Sequence, residues 1–390
     1  MGDRFYDSPD WRFIIATLDN VIITSLSPFD FGRTVTVTMG APLVLEGQTD
    51  AENPKANTVW TDDLPYLWEG VRFIYGLRRE DGDLWTVRAS TLCMTLEPSA
   101  DGDWATVRYV GYDPRQLMTK RPWIDAAGLY PGSSGYTYAS TSPWTILTEA
   151  LANQTTYFGN TFIDYDVADP GLDPLDEFTI QQGMTVAEVM EALEATGTIE
   201  IFLDPILDTA LTPPCLVRLR AQAPPTAPGD PELWVAWDRA GRTADALANL
   251  IDGTQRENWV RMHYGQGGDA TTVFQEATSP SLYGRYFGEL FLPGQTSLAA
   301  VELIAQRRMK LLGFGQQTYS VRMAPERGRR PFQDYGLGSW ATVGTSRDML
   351  RATYEGIPNR RVDSIQISID DLGVETVAAL VLRNPQGNLD

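Results

Sequence analysis

Apolar and polar residues alternate in short runs over much of this chain. The clearest run is residues 34–38, where threonine and valine alternate strictly. β-Branched residues at a period of two predict a strand with one face buried. Similar runs predict strands at 11–17, 21–23, 71–77, 84–89, 92–96 and 104–110. Asp81-Gly82 and Asp101-Gly102 fall in polar pauses between such runs, which is a hairpin signal. The polar stretch 50–63, with Asn53-Pro54, predicts a long loop. Short strands at near-regular spacing predict an antiparallel barrel or sandwich over about residues 12–122.

The pattern then changes. Residues 128–142 are rich in Gly, Ser, Thr and Tyr and predict a loop. Ser142-Pro143 predicts a helix start, with Ser as N-cap and Pro in the first turn. Thr185 and Glu188 have the spacing of a capping box. Val186, Val189, Met190 and Leu193 then fall on one helical face, with Gly197 as the stop. A strand at 199–203 completes a small α/β unit inserted between β-rich regions. Four prolines within 221–231 predict a stiff linker. Residues 234–237 read as extended, and 243–251 as a short helix before Gly253.

The last third has an ordered set of elements. An Asn-led alternating strand, Asn258 to Tyr264, is followed by a corner containing Ser279, Tyr283, Gly284 and Arg285. A helix from Ser297 to Leu312, closed by Gly313, precedes an extended strand. Tyr335, Gly336, Gly338 and Trp340 mark a further turn, and 362–369 alternates again. The expected fold is mainly β with an α+β insertion: two small antiparallel β-barrels plus an inserted α/β domain. The expected divisions are 1–122 (N-terminal segment and first barrel), 123–215 (insert), 216–254 (linker strand and short helix) and 255–390 (second barrel with packed helix 297–312).

Composition agrees with a folded chain. At 390 residues it suits two to four domains, and 43% hydrophobic with 11% aromatic content suffices for real cores. No run reaches the roughly 18 to 20 apolar residues of a membrane span. The N-terminus, Met1 to Asp7, lacks the pattern of a signal peptide, and Phe5 and Tyr6 do not suit a myristoylation site. The net charge is −20, unevenly spread. Residues 255–390 hold 15 Lys+Arg and 14 Asp+Glu, leaving 16 basic and 37 acidic residues, a charge of −21, in 1–254. That part should repel nucleic acid, so sequence-specific nucleic-acid binding is not expected.

Candidate chemistry is sparse. Cys93 and Cys215 sit in apolar strand-like stretches and read as small buried hydrophobes, although a pairing between them is open. With one histidine, His263, a zinc-finger framework is excluded, and nothing near it resembles a nucleophile's frame. Asp164, Asp166, Asp169, Asp173, Asp176 and Glu177 are hard oxygen ligands at short spacing. The EF-hand pattern fails there, with Ala168 at a ligand position and Asp169 at the glycine position. Trp60, Tyr66, Trp68, Trp85 and Trp104 are able to stack on sugar rings, but such residues more often form cross-strand pairs. No phosphate-binding loop or dinucleotide fingerprint occurs. Arg327, Arg329 and Arg330 read as an exposed loop or a contact to an acidic neighbour. No catalytic, cofactor-binding or metal-binding residue is assigned, and no enzymatic activity is expected.

The order of elements resembles the baseplate-hub, or tail-associated, proteins of long-tailed bacteriophages, especially the minor tail proteins of phages with actinobacterial hosts. Residues 84–120, with Asp113-Pro114 and Leu117, are similar to that family's exit from its first barrel. Asn258 to Tyr264 resembles its Asn-led strand, and Ser281-Leu282-Tyr283-Gly284-Arg285 its corner. Residues 298–312 followed by 335–343 resemble its helix and strand, with Gly338-Ser339 where the family usually has Gly-Asp. The resemblance implies a structural tail-tip protein in the virion. It implies a homotrimer whose six barrels form a pseudo-sixfold ring, joining the tail tube or distal tail ring to the tip and gating the lumen for DNA ejection. The implied partners are the distal tail ring protein, the tape measure protein and tip or fibre proteins. Two other readings stay open: the distal tail ring protein itself, and a glycan-binding or cell-wall-degrading tail-tip protein. An enzyme of the last kind needs a cleft with two carboxylates about 5 to 10 Å apart.

Overall fold

The structure, a computed structural model, describes residues 11–19, 21–27, 35–40, 43–50, 72–79, 84–101, 104–207, 214–224, 230–237, 243–252, 257–265, 270–275, 287–293, 298–312, 316–324, 331, 334–344, 359–370 and 375–383. The first β-rich stretch forms β1 (Trp11–Ala16), β2 (Ile22–Leu26), β3 (Val35–Met39), β4 (Val44–Asp50), β5 (Phe73–Arg79), β6 (Trp85–Asp101) and β7 (Trp104–Tyr112). Then come α1 (Pro114–Met118), β8 (Tyr136–Thr141), α2 (Pro143–Phe158), β9 (Ile163–Asp164), β10 (Leu175–Ile180), α3 (Val186–Ala195), β11 (Glu200–Pro205) and β12 (Val217–Gln222). The remainder forms β13 (Leu233–Ala236), β14 (Ala244–Asp252), β15 (Trp259–Gly265), β16 (Ala270–Gln275), β17 (Phe287–Pro293), α4 (Leu298–Leu312), β18 (Gln316–Met323), β19 (Trp340–Gly344), β20 (Asn359–Ile369) and β21 (Glu375–Arg383).

The fold is mainly β. A 13-stranded sheet runs β14-β18-β21-β20-β3-β4-β7-β6-β5-β1-β2, with β19 pairing β20 and β13 pairing β19. Its pairs are antiparallel except β13 with β19. The two β-rich regions meet where β20 pairs β3, from Ile365 opposite Met39 to Ile369 opposite Val35. They share one core, to which Phe13, Val37 and Leu45 contribute from one region and Val321, Ile367 and Leu380 from the other. No strand pair among the described residues closes this path into a barrel.

A second core joins the sheet to the α/β unit. Successive strand residues point to opposite faces. In β1, Phe13 and Ile15 therefore enter the first core, while Ile14 and Ala16 enter the second. This is why β1 and β5 read as nearly continuous apolar runs. The helices start as their capping chemistry predicts. Ser142 Oγ accepts from the Trp144 N–H, and Thr185 with Glu188 makes both bonds of the capping box. Val186, Val189, Met190 and Leu193 are all buried. A third, smaller core lies between β15 (Val260, Met262) and α4 (Val301, Ile304, Ala305, Met309).

Three sequence expectations are corrected. The loop expected at 128–142 ends in a strand, β8, which pairs with β10 from Tyr136 opposite Ile180 to Thr141 opposite Leu175. Residues 243–251 are strand, not helix: β14 pairs with β18 from Ala244 opposite Met323 to Asp252 opposite Gln316. A register shift between Ala244 and Ala246 lets Ala244 and Leu247 both pack on the first core. That bulge reproduces a helical i, i+3 spacing in a strand, and the ladder overrides the helix propensity of three alanines. The strands expected at 84–89 and 92–96 are one strand, β6, which continues across register shifts against both neighbours. The 50–63 loop beyond Asp50, the Ser279–Arg285 corner and the capping residues Ser297 and Gly313 lie outside the described residues.

Candidate functional site

The α/β unit meets the large sheet along a seam of charged side chains. Arg361 of β20 donates from Nε to the Gly338 carbonyl at 2.9 Å and pairs with the Glu200 carboxylate of β11. Gln222 Nε2 donates to the same carboxylate at 3.0 Å. Gly338 has φ +79°, and a Cβ there would lie 2.7 Å from Arg361 Nη2. Ser339 Oγ donates to Glu232 and accepts from the Gly336 N–H. The Tyr335–Trp340 turn singled out in the sequence therefore frames this joint.

A second part of the seam is centred on Asp113, the N-cap of α1. Its carboxylate accepts from the Leu43 and Arg115 N–H groups, tying α1 to the start of β4. Arg115 reaches Glu194 of α3 at 3.8 Å and the Ile201 carbonyl at 3.4 Å. Burial raises the pKa of Asp113 and of Glu194, against the lowering effect of Arg115 and backbone N–H groups. Burial likewise raises Asp363, opposed by Arg383. A cleft of about 280 Å³ lies between these groups, beside a second of about 380 Å³ that shares Gly40, Leu203, Asp204 and Leu337. Asp113, Glu194 and Glu200 each accept from a backbone or side-chain N–H, so each of these carboxylates, buried or half-buried, is hydrogen-bonded.

The candidate residues from the sequence are scattered rather than convergent. Cys93 and Cys215 are both buried and form no disulfide. His263 lies 2.9 Å from Glu289 on the face of the β16-β15-β17 sheet away from α4. In the acidic loop, Asp164 pairs with Arg218 at 2.8 Å, and Asp169 accepts from the Gly171 N–H. No His/Cys/Asp/Glu cluster suited to a metal occurs among the described residues. Trp85 packs on the second core with Arg12 over its ring, and Trp104 opens β7. Trp60, Tyr66, Trp68, Arg327, Arg329 and Arg330 lie outside the described residues. No helix among the described residues is long and apolar enough to cross a membrane.

One signal goes unread when charge is averaged over residues 1–254. Between Arg121 and Arg218 there is no Lys, Arg or His, against 14 Asp+Glu. That span is the α/β unit, and flanking arginines at 115, 218, 220 and 361 pair with its Glu194, Asp164, Asp204 and Glu200. The same unit exposes Leu129, Tyr130, Tyr136, Tyr157 and Phe158.

The architecture has close parallels among solved structures. A tail protein from Neisseria meningitidis superposes with a TM-score of 0.60 at 11% identity, over 96% of each chain. The chain has the fold of phage tail proteins. The 43 kDa tail protein of prophage MuSo2 from Shewanella oneidensis gives 0.55 at 13% identity, over 97% of this chain and 100% of the other. A prophage tail protein from Listeria monocytogenes gives 0.54 at 11% identity, over 96% and 94%. The tail-protein likeness therefore runs end to end and includes the α/β unit. No protein-family model matches the chain, and no curated protein sequence matches it.

Proposed function

We propose that this protein is a structural baseplate-hub subunit at the distal end of a phage tail. The observation that carries the reading is the end-to-end likeness in fold to three tail proteins of similar length. In this reading the two β-rich regions, which share one sheet and one core through the β20–β3 pairing, stand for two open barrel halves, with the α/β unit as an insert. Three chains would present six such modules, enough to dock on a sixfold tube, and closed symmetry of this kind needs large interfaces. The neighbours in this reading are the distal tail ring protein, the tape measure protein and tip or fibre proteins of a long-tailed virion. The role is mechanical rather than catalytic: the hub joins tube to tip and gates the lumen for DNA ejection. An acidic surface suits a conduit that must not hold DNA.

The test is native mass spectrometry with negative-stain imaging of the purified 43.3 kDa chain. A trimer forming a ring with an axial opening is expected. A chain that stays monomeric at all concentrations, or a six-membered ring, overturns the hub assignment.

A further inference from the structure

The main path of the large sheet has two open ends. Among the described residues, β2 pairs only with β1, and β14 pairs only with β18. An edge strand presents a row of outward N–H and C=O groups that another strand can take up. Native chains protect such edges with lysine, proline, a short strand or a cover. Neither end of this path has that protection in its sequence. Residues 21–26, Val-Ile-Ile-Thr-Ser-Leu, and residues 246–251, Ala-Leu-Ala-Asn-Leu-Ile, contain no charge and no proline. The side branch ends differently: β13 has only four residues, with Glu232 and Asp238 close on either side in sequence.

The side chains at both ends are open as well. Val21, Ile22 and Ile23 are 63%, 48% and 40% exposed. Successive strand residues face opposite sides, so both faces are open at this end of β2. Leu26, at its other end, is buried. On β14, Ala246, Ala248 and Leu250 are exposed, the last at 64%, and Asp245, Leu247 and Asn249 are half-buried. The turn between β1 and β2 is fixed from both sides. The Thr17 N–H donates to the Val21 carbonyl at 2.9 Å, and the Val21 N–H donates to Thr17 Oγ1 at 3.1 Å. β14 is held by β18 from Ala244 to Asp252. Both edges are thus ordered in the single chain, and little further ordering opposes binding.

We propose that the β2 edge of one copy pairs with the β14 edge of the next, so that the ladder continues from chain to chain. Two observations select a second copy as the occupant. The chain carries a charge of −20, so copies repel in general and meet most readily where the surface is uncharged, as both edges are. The two edges are also unlike surfaces of one sheet. Joining unlike surfaces gives a head-to-tail contact, which repeats until a ring closes and leaves neither end open. A strand of another protein added at β2 leaves β14 bare, and β2 paired with β2 stops at a dimer with both β14 edges bare. In the ring, Val21, Ile22 and Ile23 of one chain pack beside Leu247 and Leu250 of its neighbour. The inference rests on the hub reading only for the size of that ring, three.

Cross-linking of marked chains tests the proposal. Chains with Ile22→Cys are co-expressed with chains with Leu250→Cys, and the assembly is treated with a bismaleimide of about 10 Å span, roughly two strand spacings. Cys93 and Cys215 are buried, and the parent chain is the blank. Unlike chains should be joined one to one, and neither variant alone should be joined to itself. In a second measurement, Ile22→Lys and Leu250→Lys each put a charge on one edge. Each should raise the concentration at which the assembly half-dissociates about tenfold or more in analytical ultracentrifugation. Leu129→Lys, exposed on the α/β unit, should leave it unchanged. Circular dichroism verifies the fold, and the cross-link still decides if a lysine variant misfolds. Ile22→Cys chains joined to one another overturn the proposal, because β2 then pairs with itself. A trimeric ring with no unlike cross-link, and indifferent to both lysines, overturns the proposal and leaves the hub standing. A six-membered ring with the unlike cross-link supports the edge pairing and removes the hub. A chain that stays monomeric at all concentrations overturns both.

Discussion

Arg78 of β5 and Glu375 of β21 form a buried ion pair across 297 positions of sequence, with Nε and Oε2 2.8 Å apart. Their side chains are 1% and 7% exposed. The Trp11 indole donates to the same oxygen at 3.1 Å. Along the ladder, five strands separate β21 from β5, so the sheet must curl back on itself for these residues to meet. Glu375→Ala would remove this carboxylate from a guanidinium that is only 1% exposed. The expected loss is about 3 to 5 kcal/mol in urea unfolding, whereas Arg78→Met with Glu375→Leu should cost far less. A double variant as unstable as the single one would mean that the pair contributes specific geometry beyond charge balance.

Gly47 of β4 stands opposite Tyr109 of β7, and a Cβ on Gly47 would overlap the Tyr109 hydroxyl. Tyr109 is fully buried, so its ring has no room to swing away. Gly47→Ala should cost roughly 1 to 3 kcal/mol, as overpacking does elsewhere. Adding Tyr109→Leu should restore part of the lost melting temperature. A Gly47→Ala chain that melts like the parent would show that β4 and β7 separate easily.

Much of the fold was legible wherever the determining chemistry is local. Ser142 and the Thr185–Glu188 box cap helices through bonds that span two or three residues, and the alternation at 35–39 needs only a period of two. The bulge at Ala244–Ala246 was not legible, because it makes a strand imitate helical spacing. The β20–β3 junction and the Arg78–Glu375 pair join residues hundreds of positions apart, which no local pattern encodes. In the seam, Gly338 and Trp340 stood out in the sequence, while their partners Glu200 and Arg361 were ordinary charged residues until the fold brought them together. The base-free span 122–217 was visible but was averaged into a larger window.

Cys93 lies in the first core, and burial pushes its thiol up to about 12. The thiolate is the reactive form, so a native thiol of this kind is nearly inert. Iodoacetamide at about pH 8 should leave Cys93 unmodified in the folded chain and label it fully in denaturant. Intact-mass analysis reads both states. Rapid native labelling at Cys93 would show that the β6–β7 region opens far more often than its burial implies.

Glu194 gives the seam a pH dependence of unusual sign. Its pKa is raised above the ordinary 4.5, first by burial, with Arg115 and the Ile201 N–H opposing. The folded chain therefore keeps this proton at a pH where the unfolded chain has released it. Stability from this group is fullest below the ordinary value and declines as pH rises through the folded one. Asp113 and Asp363 are raised as well and act in the same sense. Glu194→Gln has no such proton but keeps an oxygen to accept the Ile201 N–H bond, 3.1 Å in the parent. The melting temperature of Glu194→Gln relative to the parent should thus rise as pH increases from the ordinary 4.5 through the raised folded value. A parent that instead gains on the variant as pH rises above 4.5 would show that the Arg115–Glu194 contact outweighs desolvation, reversing the sign assigned to the seam.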